Sequence, residues 1–270
     1  MWLWDFFFDL VMTIIASWNV NSIRVRYGHV ENFLNKVDPD ILLLQEIKCM
    51  NSEFPDFIDQ SKYNVTINGQ KAKYGVAIIY KKEIDIRIIQ IKSQTLESQA
   101  RVQLIYLKSL NLNILNVYTP NGNPINDPDK IQFKLKWYDE LYNLSKKIIL
   151  SKQDLLIGGD FNVIENIKDA LNFKEWENDA LGNLQVRTKF RELFFLGLTN
   201  LSRIFFKPGQ IFSFWDYQRA CWERNDGILI DHFLISPRKL QNVTRLKYET
   251  NFRGLEKPSD HIPFWLKLNI

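Results

Sequence analysis

The chain has 270 residues, of which 46% are hydrophobic and 24% charged, and this balance fits a globular protein with a sizeable core. Its formal net charge of +4 permits a polyanionic partner without establishing one. Only two cysteines occur, Cys49 and Cys221, so a disulfide-rich scaffold is excluded; a single disulfide stays open, but we expect reduced thiols and a cytoplasmic protein.

The first twelve residues, MWLWDFFFDLVM, are unusually apolar. They lack a basic region and a small-residue cleavage site and contain Asp5 and Asp9, which argues against a secretory signal. They are also shorter than the roughly 20 residues of a membrane-spanning helix, and no other segment predicts one. We assign residues 1–12 to an N-terminal extension and 13–270 to one domain, because no charged or low-complexity linker divides the chain.

The next elements alternate between strand and helix. Residues 13–20 are rich in β-forming residues and end near Asn19, and residues 24–37 have the apolar spacing of a helix. Residues 41–44 predict a short buried strand that delivers Glu46 at its end.

The middle of the chain is predicted to be mostly β-structure, followed by helices. Residues 74–80 and 84–91 are predicted to form a strand pair joined by a turn at Lys81 and Lys82. Further predicted elements are strands at 101–108 and 112–118, a turn-rich loop at 119–124, a long amphipathic helix at 130–150, and a helix at 187–196.

The segment DLLIGGDFNVIEN, residues 154–166, has two interpretations. A short apolar strand is followed by Gly158 and Gly159, and then by Asp160 and Asn162. Glycines at this position allow φ > 0 or a close approach of the backbone to a ligand, which favours a functional site. The alternative is an ordinary turn after a strand, with a solvated aspartate. The segment alone does not decide between them.

An internal similarity favours the functional interpretation. Residues 40–46 and residues 154–160 both run from an acid through an apolar segment to a polar pair that ends in a carboxylate. This pattern predicts equivalent strands in two similar halves, each delivering one acid.

Acids recur beside the short apolar strands along the chain. Carboxylate and amide oxygens suit Mg²⁺ or Mn²⁺, whereas zinc sites draw on cysteine or several histidines. A histidine beside an acid can be held as a cation or act as an acid or base, although a lone histidine is more often a satisfied core residue. The predicted constellation comprises Glu46, Asp160, Asp231 and Asp260, with Asn19, Asn162 and His261.

Seven ordered segments occur along the chain: SWNVNSIR (17–24), DILLLQEIK (40–48), YGVAI (74–78), NVYTPNG (116–122), GGDFNV (158–163), IDHFLIS (230–236) and EKPSDHIPFW (256–265). In their order and approximate spacing they resemble the exodeoxyribonuclease III family of bacterial apurinic/apyrimidinic (AP) endonucleases, within the endonuclease/exonuclease/phosphatase superfamily. The similarity extends from about residue 12 to residue 270.

The resemblance implies a DNase I-like fold of the α/β (α+β) class, a four-layer sandwich of two mixed β-sheets flanked by helices. It implies a Mg²⁺-dependent hydrolase, with Mn²⁺ as a substitute, in which Glu46 is the main metal ligand, Asn19 lies close to it and Asp260 occupies a second position near the metal. Asp160 would orient or deprotonate the attacking water, and Asn162 would hold that water or a phosphate oxygen.

The resemblance also implies roles around the scissile phosphate. His261 would contact it, Asp231 would hold the His261 imidazole, and Tyr118 would lie beside it. Lys48 and Arg101 would contact DNA.

The remaining implied DNA contacts are Asn121 and the aromatic residues Phe214 and Trp215, which would form a pocket for a nucleotide without a base. Core packing is the equal alternative for both rings. Leu229 stands where relatives commonly have Arg, and this departure affects DNA affinity only if that Arg contacts DNA.

The predicted function is incision of duplex DNA 5′ to abasic sites, with 3′-5′ exonuclease activity and cleaning of blocked 3′ ends, by a bacterial monomer that acts on the nucleoid and on no membrane. A same-fold phosphodiesterase or phosphatase with another substrate is one alternative. A non-catalytic nucleic-acid-binding module is the other, and the complete set of acids argues against it.

Overall fold

The computed structural model describes residues 12–269, and the N-terminal extension predicted at residues 1–12 lies outside them except for Met12, the first residue of β1. The strands are β1 (Met12–Asn19), β2 (Ile41–Gln45), β3 (Tyr63–Asn68), β4 (Val76–Lys81), β5 (Ile86–Ile89), β6 (Val102–Leu107), β7 (Leu112–Tyr118), β8 (Asp154–Asp160), β9 (Thr199–Asn200), β10 (Asp231–Ile235), β11 (Val243–Tyr248) and β12 (Phe264–Asn269). The helices are α1 (Ile23–Val37), α2 (Gln94–Glu97), α3 (Pro128–Leu150), α4 (Leu184–Glu192), α5 (Leu201–Phe205) and α6 (Pro237–Leu240).

The strands form two six-stranded mixed sheets. Sheet I has the order β11-β12-β1-β2-β4-β3, and sheet II has the order β5-β6-β7-β8-β10-β9. In each sheet the central two strands are parallel and are joined through a helix, α1 between β1 and β2 and α3 between β7 and β8. The two halves predicted from the repeated pattern therefore correspond to equivalent positions in the two sheets.

The sheets pack face to face around an apolar core. Ile15 and Leu43 of sheet I share one buried cluster with Ile114, Leu156 and Phe233 of sheet II. Burial of this apolar area is the main term that holds the sheets together.

Helices cover the outer face of each sheet. Phe33 of α1 packs in one cluster with Leu42 of sheet I, and Trp137 of α3 and Phe190 of α4 pack in another with Ile157 of sheet II. The four-layer sandwich expected from the sequence is confirmed.

The strand pair predicted at residues 74–80 and 84–91 is not formed. β4 lies inside sheet I between β2 and β3, whereas β5 is an edge strand of sheet II that pairs with β6. The turn that includes Lys82 thus carries the chain from one sheet to the other. The local pattern identified both strands, but long-range pairing determined their partners.

Two further features concern the whole molecule. Cys49 and Cys221 are free thiols, as expected. Among the helices of residues 12–269, none combines the length and apolarity needed to cross a membrane.

Candidate active site

The site lies where the parallel strand pairs of both sheets end. Asn19 ends β1 beside Gln45 of β2, and Tyr118 ends β7 beside Asp160 of β8. Parallel strands bring their carboxyl ends to one edge of a sheet, and the sandwich places those two edges together.

Asn19 joins the two principal carboxylates. Its side-chain Nδ2 donates to Glu46 Oε1 and to Asp160 Oδ2, both at 2.9 Å, while its Oδ1 accepts from the backbone N–H of Asn21 at 3.1 Å. Asn19 thus lies close to Glu46 as predicted, and its amide N–H groups orient both carboxylates.

Glu46 is stabilised as a carboxylate. Burial raises its pKa, but the Lys48 ammonium, which lies 2.8 Å from Glu46 Oε2, and the hydrogen bond from Asn19 outweigh burial and lower the pKa of the side chain. Glu46 is therefore ionised, which is the state that a carboxylate ligand requires. Lys48 faces Glu46 and also donates to the Asn21 side chain.

Asp160 has the opposite electrostatic environment. It is 1% exposed, and burial raises the pKa of its carboxyl against the opposing effect of the His261 charge. Its Oδ1 accepts from the backbone N–H of Asn162 at 2.8 Å, and its Oδ2 accepts from Asn162 Nδ2 at 3.2 Å. A carboxylate with a raised pKa is a stronger base, which suits a proton acceptor.

Asn162 is fixed in turn by the loop after β7. Its Nδ2 donates to the carbonyl of Thr119 at 2.8 Å, and its Oδ1 accepts from Asn121 Nδ2 at 3.2 Å. Asn121 is exposed and therefore lies at the mouth of the site, where the sequence predicted a DNA contact.

The two glycines before Asp160 are enclosed by neighbouring protein atoms. A side chain at Gly159, whose φ is +144°, would place Cβ 2.0 Å from the carbonyl oxygen of Val117, and one at Gly158 would place it 2.5 Å from the ring of Phe233. Both glycines are therefore required for packing inside the sandwich. Of the two reasons for glycine expected from the sequence, φ > 0 is found at Gly159.

His261 and Asp231 form a buried pair. His261 Nδ1 lies 2.8 Å from Asp231 Oδ2, which also accepts from Ser213 Oγ at 2.6 Å, and His261 Nε2 lies 3.8 Å from Asp160 Oδ2. Burial lowers the pKa of the imidazole, but the charges of Asp231 and Asp160 outweigh it and raise the pKa. His261 is therefore a cation at neutral pH, held by Asp231 as the sequence predicted.

Tyr118 and Arg101 form a stacked layer beside the carboxylates. The Arg101 guanidinium lies 3.9 Å from the ring centre of Tyr74 and 4.4 Å from that of Tyr118, and it donates to the Tyr118 carbonyl at 3.2 Å. Arg101 is only 4% exposed, so it supports Tyr118 rather than meeting DNA directly, contrary to its predicted contact. Burial, with Glu46 nearby, raises the pKa of the Tyr118 hydroxyl, which stays protonated.

The aromatic cluster divides into one site residue and one core residue. The Phe214 ring packs edge-on against the His261 ring, with 5.0 Å between ring centres. Trp215 is 2% exposed, packs in the main core and donates through its indole N–H to Asn225. Trp215 is thus a packing residue and does not line a pocket. Leu229 is likewise buried in that core, 1% exposed.

In the part of the chain that the structure describes, one compact set of candidate metal ligands occurs. Atoms of Glu46, Asp160 and His261 lie within 4.8 Å of one another, and carboxylates dominate the set, as Mg²⁺ or Mn²⁺ requires. Asp260, predicted near the metal, lies outside this set: it is half-buried and its Oδ1 accepts from Asn21 Nδ2 at 3.0 Å. Of the predicted metal residues, Glu46 belongs to this set, and Asn19 contacts both of its carboxylates.

Three residues that support the site were not identified from the sequence. Ser213 holds Asp231, Tyr74 stacks on Arg101, and Lys134 binds the loops behind Asp160. The sequence did indicate that Lys134 is buried, because this charged residue shares a helix face with the apolar residues Trp137 and Leu141.

The family comparison agrees with the fold and the site. Residues 16–261 match the model of the Endonuclease/Exonuclease/phosphatase family, so the chain belongs to that family. Among curated relatives, exodeoxyribonuclease III of Haemophilus influenzae is 29% identical over 92% of this chain and 97% of its own.

Solved structures give the same result. A variant of the 3′ phosphatase NExo from Neisseria, bound to product DNA hairpin, superposes with a TM-score of 0.88 at 29% identity, covering 96% of this chain and 100% of the other. An AP endonuclease from Archaeoglobus fulgidus gives 0.86 at 29% identity, with the same coverage. The resemblance identified in the motifs is confirmed.

Proposed function

We propose that this protein is a DNA-repair nuclease that requires a divalent metal ion. It hydrolyses phosphodiesters in duplex DNA, incises 5′ to abasic sites, and removes nucleotides and blocking groups from 3′ ends. The relatives named as exodeoxyribonuclease III, 3′ phosphatase and AP endonuclease support this range of substrates. Action as a cytoplasmic monomer stays a prediction.

One observation carries the proposal. A buried carboxylate with a raised pKa, Asp160, lies 3.8 Å from the ring of the cationic His261 and is joined through the Asn19 amide to the ionised Glu46. Phosphodiester hydrolysis needs a proton acceptor, a positive group facing the phosphate and a ligand for a cation, and these three residues supply them.

The side chains have separate roles in the reaction. Asp160 accepts the proton of the attacking water, and Asn162, locked to Asp160 and to the loop after β7, orients that water. His261, held by Asp231, places positive charge against the developing charge on the phosphate. The protonated Tyr118 hydroxyl donates to a phosphate oxygen.

Mg²⁺ fits the carboxylate-rich set, and Glu46 would hold it. When bound, the cation supplies positive charge to the phosphate and offsets repulsion between the carboxylates. The two carboxylates and single histidine of the set favour Mg²⁺, or Mn²⁺ in its place, over zinc, which usually draws on cysteine or more than one histidine.

Phe214 supports selection of abasic nucleotides. Its ring closes one side of the space at His261, where an extruded sugar without a base can pack and a bulky base is excluded. A comparison of duplexes with and without the lesion tests this role.

The decisive experiment uses a duplex oligonucleotide that carries one tetrahydrofuran abasic analogue, with Mg²⁺ or with EDTA. We expect incision 5′ to the analogue in Mg²⁺, none in EDTA, and slower internal cleavage of the intact duplex. Glu83→Gln, a change at an exposed glutamate remote in sequence from the site residues, is the matched control for Glu46→Gln. Absence of cleavage in Mg²⁺ would refute the nuclease, and cleavage in EDTA would refute the metal requirement.

DNA binding gives an independent measurement. Phosphate contacts release counterions, so affinity for the duplex should fall steeply as salt rises. Binding that does not change between about 50 and 200 mM salt, concentrations over which such contacts lose several orders of magnitude in affinity, would contradict a DNA substrate.

A further inference from the structure

Helix α3 supports the catalytic loops from behind through two polar side chains on its buried face. Tyr138 donates through its hydroxyl to the carbonyl of Phe161 at 2.6 Å. One turn earlier, Lys134 donates to the carbonyl of Asn162 at 2.6 Å. Both acceptors follow Asp160 directly, so the helix holds the backbone on which Asp160 and Asn162 are mounted.

Lys134 connects three segments at one point. Its ammonium also donates to the carbonyl of Asn121 at 2.7 Å and to that of Ala180 at 3.3 Å. All three ammonium hydrogens are used, and all three acceptors are backbone oxygens. Within residues 12–269 this lysine forms no ion pair.

Burial of the Lys134 amine costs free energy of folding. Lys134 is 0% exposed, and burial lowers its pKa to about 7 even though the charges of Asp179 and Asp160 oppose that change. An apolar side chain would avoid the cost of burying an amine, but it would leave three carbonyls without this donor, two of them buried. The lysine is therefore suited to fixing the three segments relative to one another.

We propose that Lys134 is a positioning residue for the nuclease reaction, which it serves by holding the Asn121 and Asn162 loops in register with Asp160. The inference rests on the proposed roles of Asp160 and Asn162. Lys134 touches neither substrate nor the reacting atoms; it acts through the Asn162 backbone and through the hydrogen bond between Asn121 and Asn162.

A positioning role and a merely structural role predict different kinetics. Misplacement of a water-orienting group by about 1 Å can lower the rate by about 100-fold without altering binding. A general loss of stability would instead reduce the fraction of folded enzyme, and this appears as a lower melting temperature. The kcat of the folded enzyme and its KM therefore separate the two roles.

The test compares Lys134→Met with Lys136→Met, a change at an exposed lysine on the same helix, using the abasic duplex in Mg²⁺. For Lys134→Met we expect kcat to fall about 10- to 100-fold, with KM and the dissociation constant for DNA in EDTA changed by less than about threefold. Lys136→Met should match the wild type. A kcat for Lys134→Met within about twofold of the wild type would overturn the inference.

A double-mutant cycle tests whether Lys134 acts through Asn162. In an Asn162→Ala background the effect of Lys134→Met on kcat should shrink to about threefold or less, because the group being positioned is gone. An undiminished loss would overturn the inference.

A second variant covers the case in which Lys134→Met does not fold. In Gly122→Ala the added Cβ would lie 2.7 Å from Lys134 Cδ, and it should lower kcat in the same Asn162-dependent way. A Gly122→Ala loss of the same size with or without Asn162 would refute the role. Wild-type protein that fails to cleave overturns the proposed function, whereas cleavage unaffected by these variants overturns only the role of Lys134.

Discussion

Sheets I and II contribute to the site through the same topology but with opposite electrostatics. In both sheets a strand–helix–strand unit ends in a carboxylate, Glu46 after β2 and Asp160 at the end of β8. Glu46 is partly exposed, faces the Lys48 ammonium and has a lowered pKa; Asp160 is buried, and its pKa is raised. The duplicated backbone fixes where the acids stand. Burial then raises the pKa of Asp160, whereas Lys48 and Asn19 outweigh burial and lower the pKa of Glu46.

Each sheet also contributes one cation near the site. Arg101 precedes β6, which runs antiparallel to β7, and His261 shortly precedes β12, which runs antiparallel to β1. Arg101 is clamped between two tyrosine rings, while His261 is held by Asp231 with its Nε2 towards Asp160. Sheet II thus uses its cation to support Tyr118, and sheet I directs its cation towards Asp160 of sheet II.

Replacement of Asp160, the proposed proton acceptor, should have the largest effect on cleavage. Asp160→Asn removes the proton acceptor but keeps a side chain that can hydrogen-bond, so we expect kcat for the abasic duplex to fall by about 10³-fold or more. Raising the Mg²⁺ concentration should not restore it. Single-turnover cleavage measures this, and recovery of activity by added metal would show that Asp160 and Glu46 are not functionally distinct.

Replacement of Glu46, the proposed metal ligand, should have a different effect on cleavage. Glu46→Gln should lower cleavage about 10²-fold at low Mg²⁺ and regain part of the activity at higher Mg²⁺ or Mn²⁺, because a neutral ligand weakens metal binding without removing the proton acceptor. Metal titrations of Glu46→Gln and Glu83→Gln measure the shift. Identical midpoints for the two variants would remove Glu46 from the metal site.

Arg101 should have an intermediate effect. Arg101→Met removes the guanidinium between Tyr74 and Tyr118, and we expect kcat to fall about tenfold with DNA affinity nearly unchanged, since the buried guanidinium acts through Tyr118. Arg87→Met, which removes a cation from the ring of Tyr106 at 5.4 Å, is the control and should have no effect. Loss of DNA affinity in Arg101→Met with kcat intact would restore the direct DNA contact predicted from the sequence.

The smallest expected effect is on the free energy of unfolding, and it should have opposite signs for Asp160 and Glu46. The pKa of Asp160 is raised on folding, so the stability it contributes is present at low pH and is lost as pH rises from its unfolded value of 3.8 towards the raised pKa. The pKa of Glu46 is lowered, so its contribution is present above the unfolded value of 4.5 and is lost as pH falls below it.

Thermal melting in EDTA at pH 7 should therefore show Asp160→Asn stabilised and Glu46→Gln destabilised, each by about 1 kcal/mol or roughly 2–4 °C. Both differences should diminish towards pH 4. Shifts of the same sign would show that the two acids have similar environments in the folded protein.

The positions of the two acids could be predicted from the sequence because they depend on short segments. The central strands, their terminal acids and the helices between them follow from local apolar patterns, and the repeated acid–apolar–carboxylate pattern predicted the two equivalent halves. Ordered motifs then placed Glu46, Asp160 and His261 in one site.

What could not be predicted depends on contacts between distant segments. β4 and β5 are neighbours in sequence but belong to different sheets, and burial of Trp215 follows from packing by several elements. Arginine is usually a surface residue, but Arg101 is buried because the rings of Tyr74 and Tyr118 converge on it. No local pattern encodes these partners.

The placement of β12 has a consequence for how the protein can be assembled. The two sheets resemble a duplication, yet the inner strand that pairs with β1 of sheet I comes from the far end of the described chain, with Met12 opposite Asn269. A polypeptide cut between β4 and β5 would separate β11 and β12 from the rest of sheet I, so neither fragment would contain the complete sandwich. Co-expressed fragments should instead complement one another, and nuclease activity should appear only in their complex.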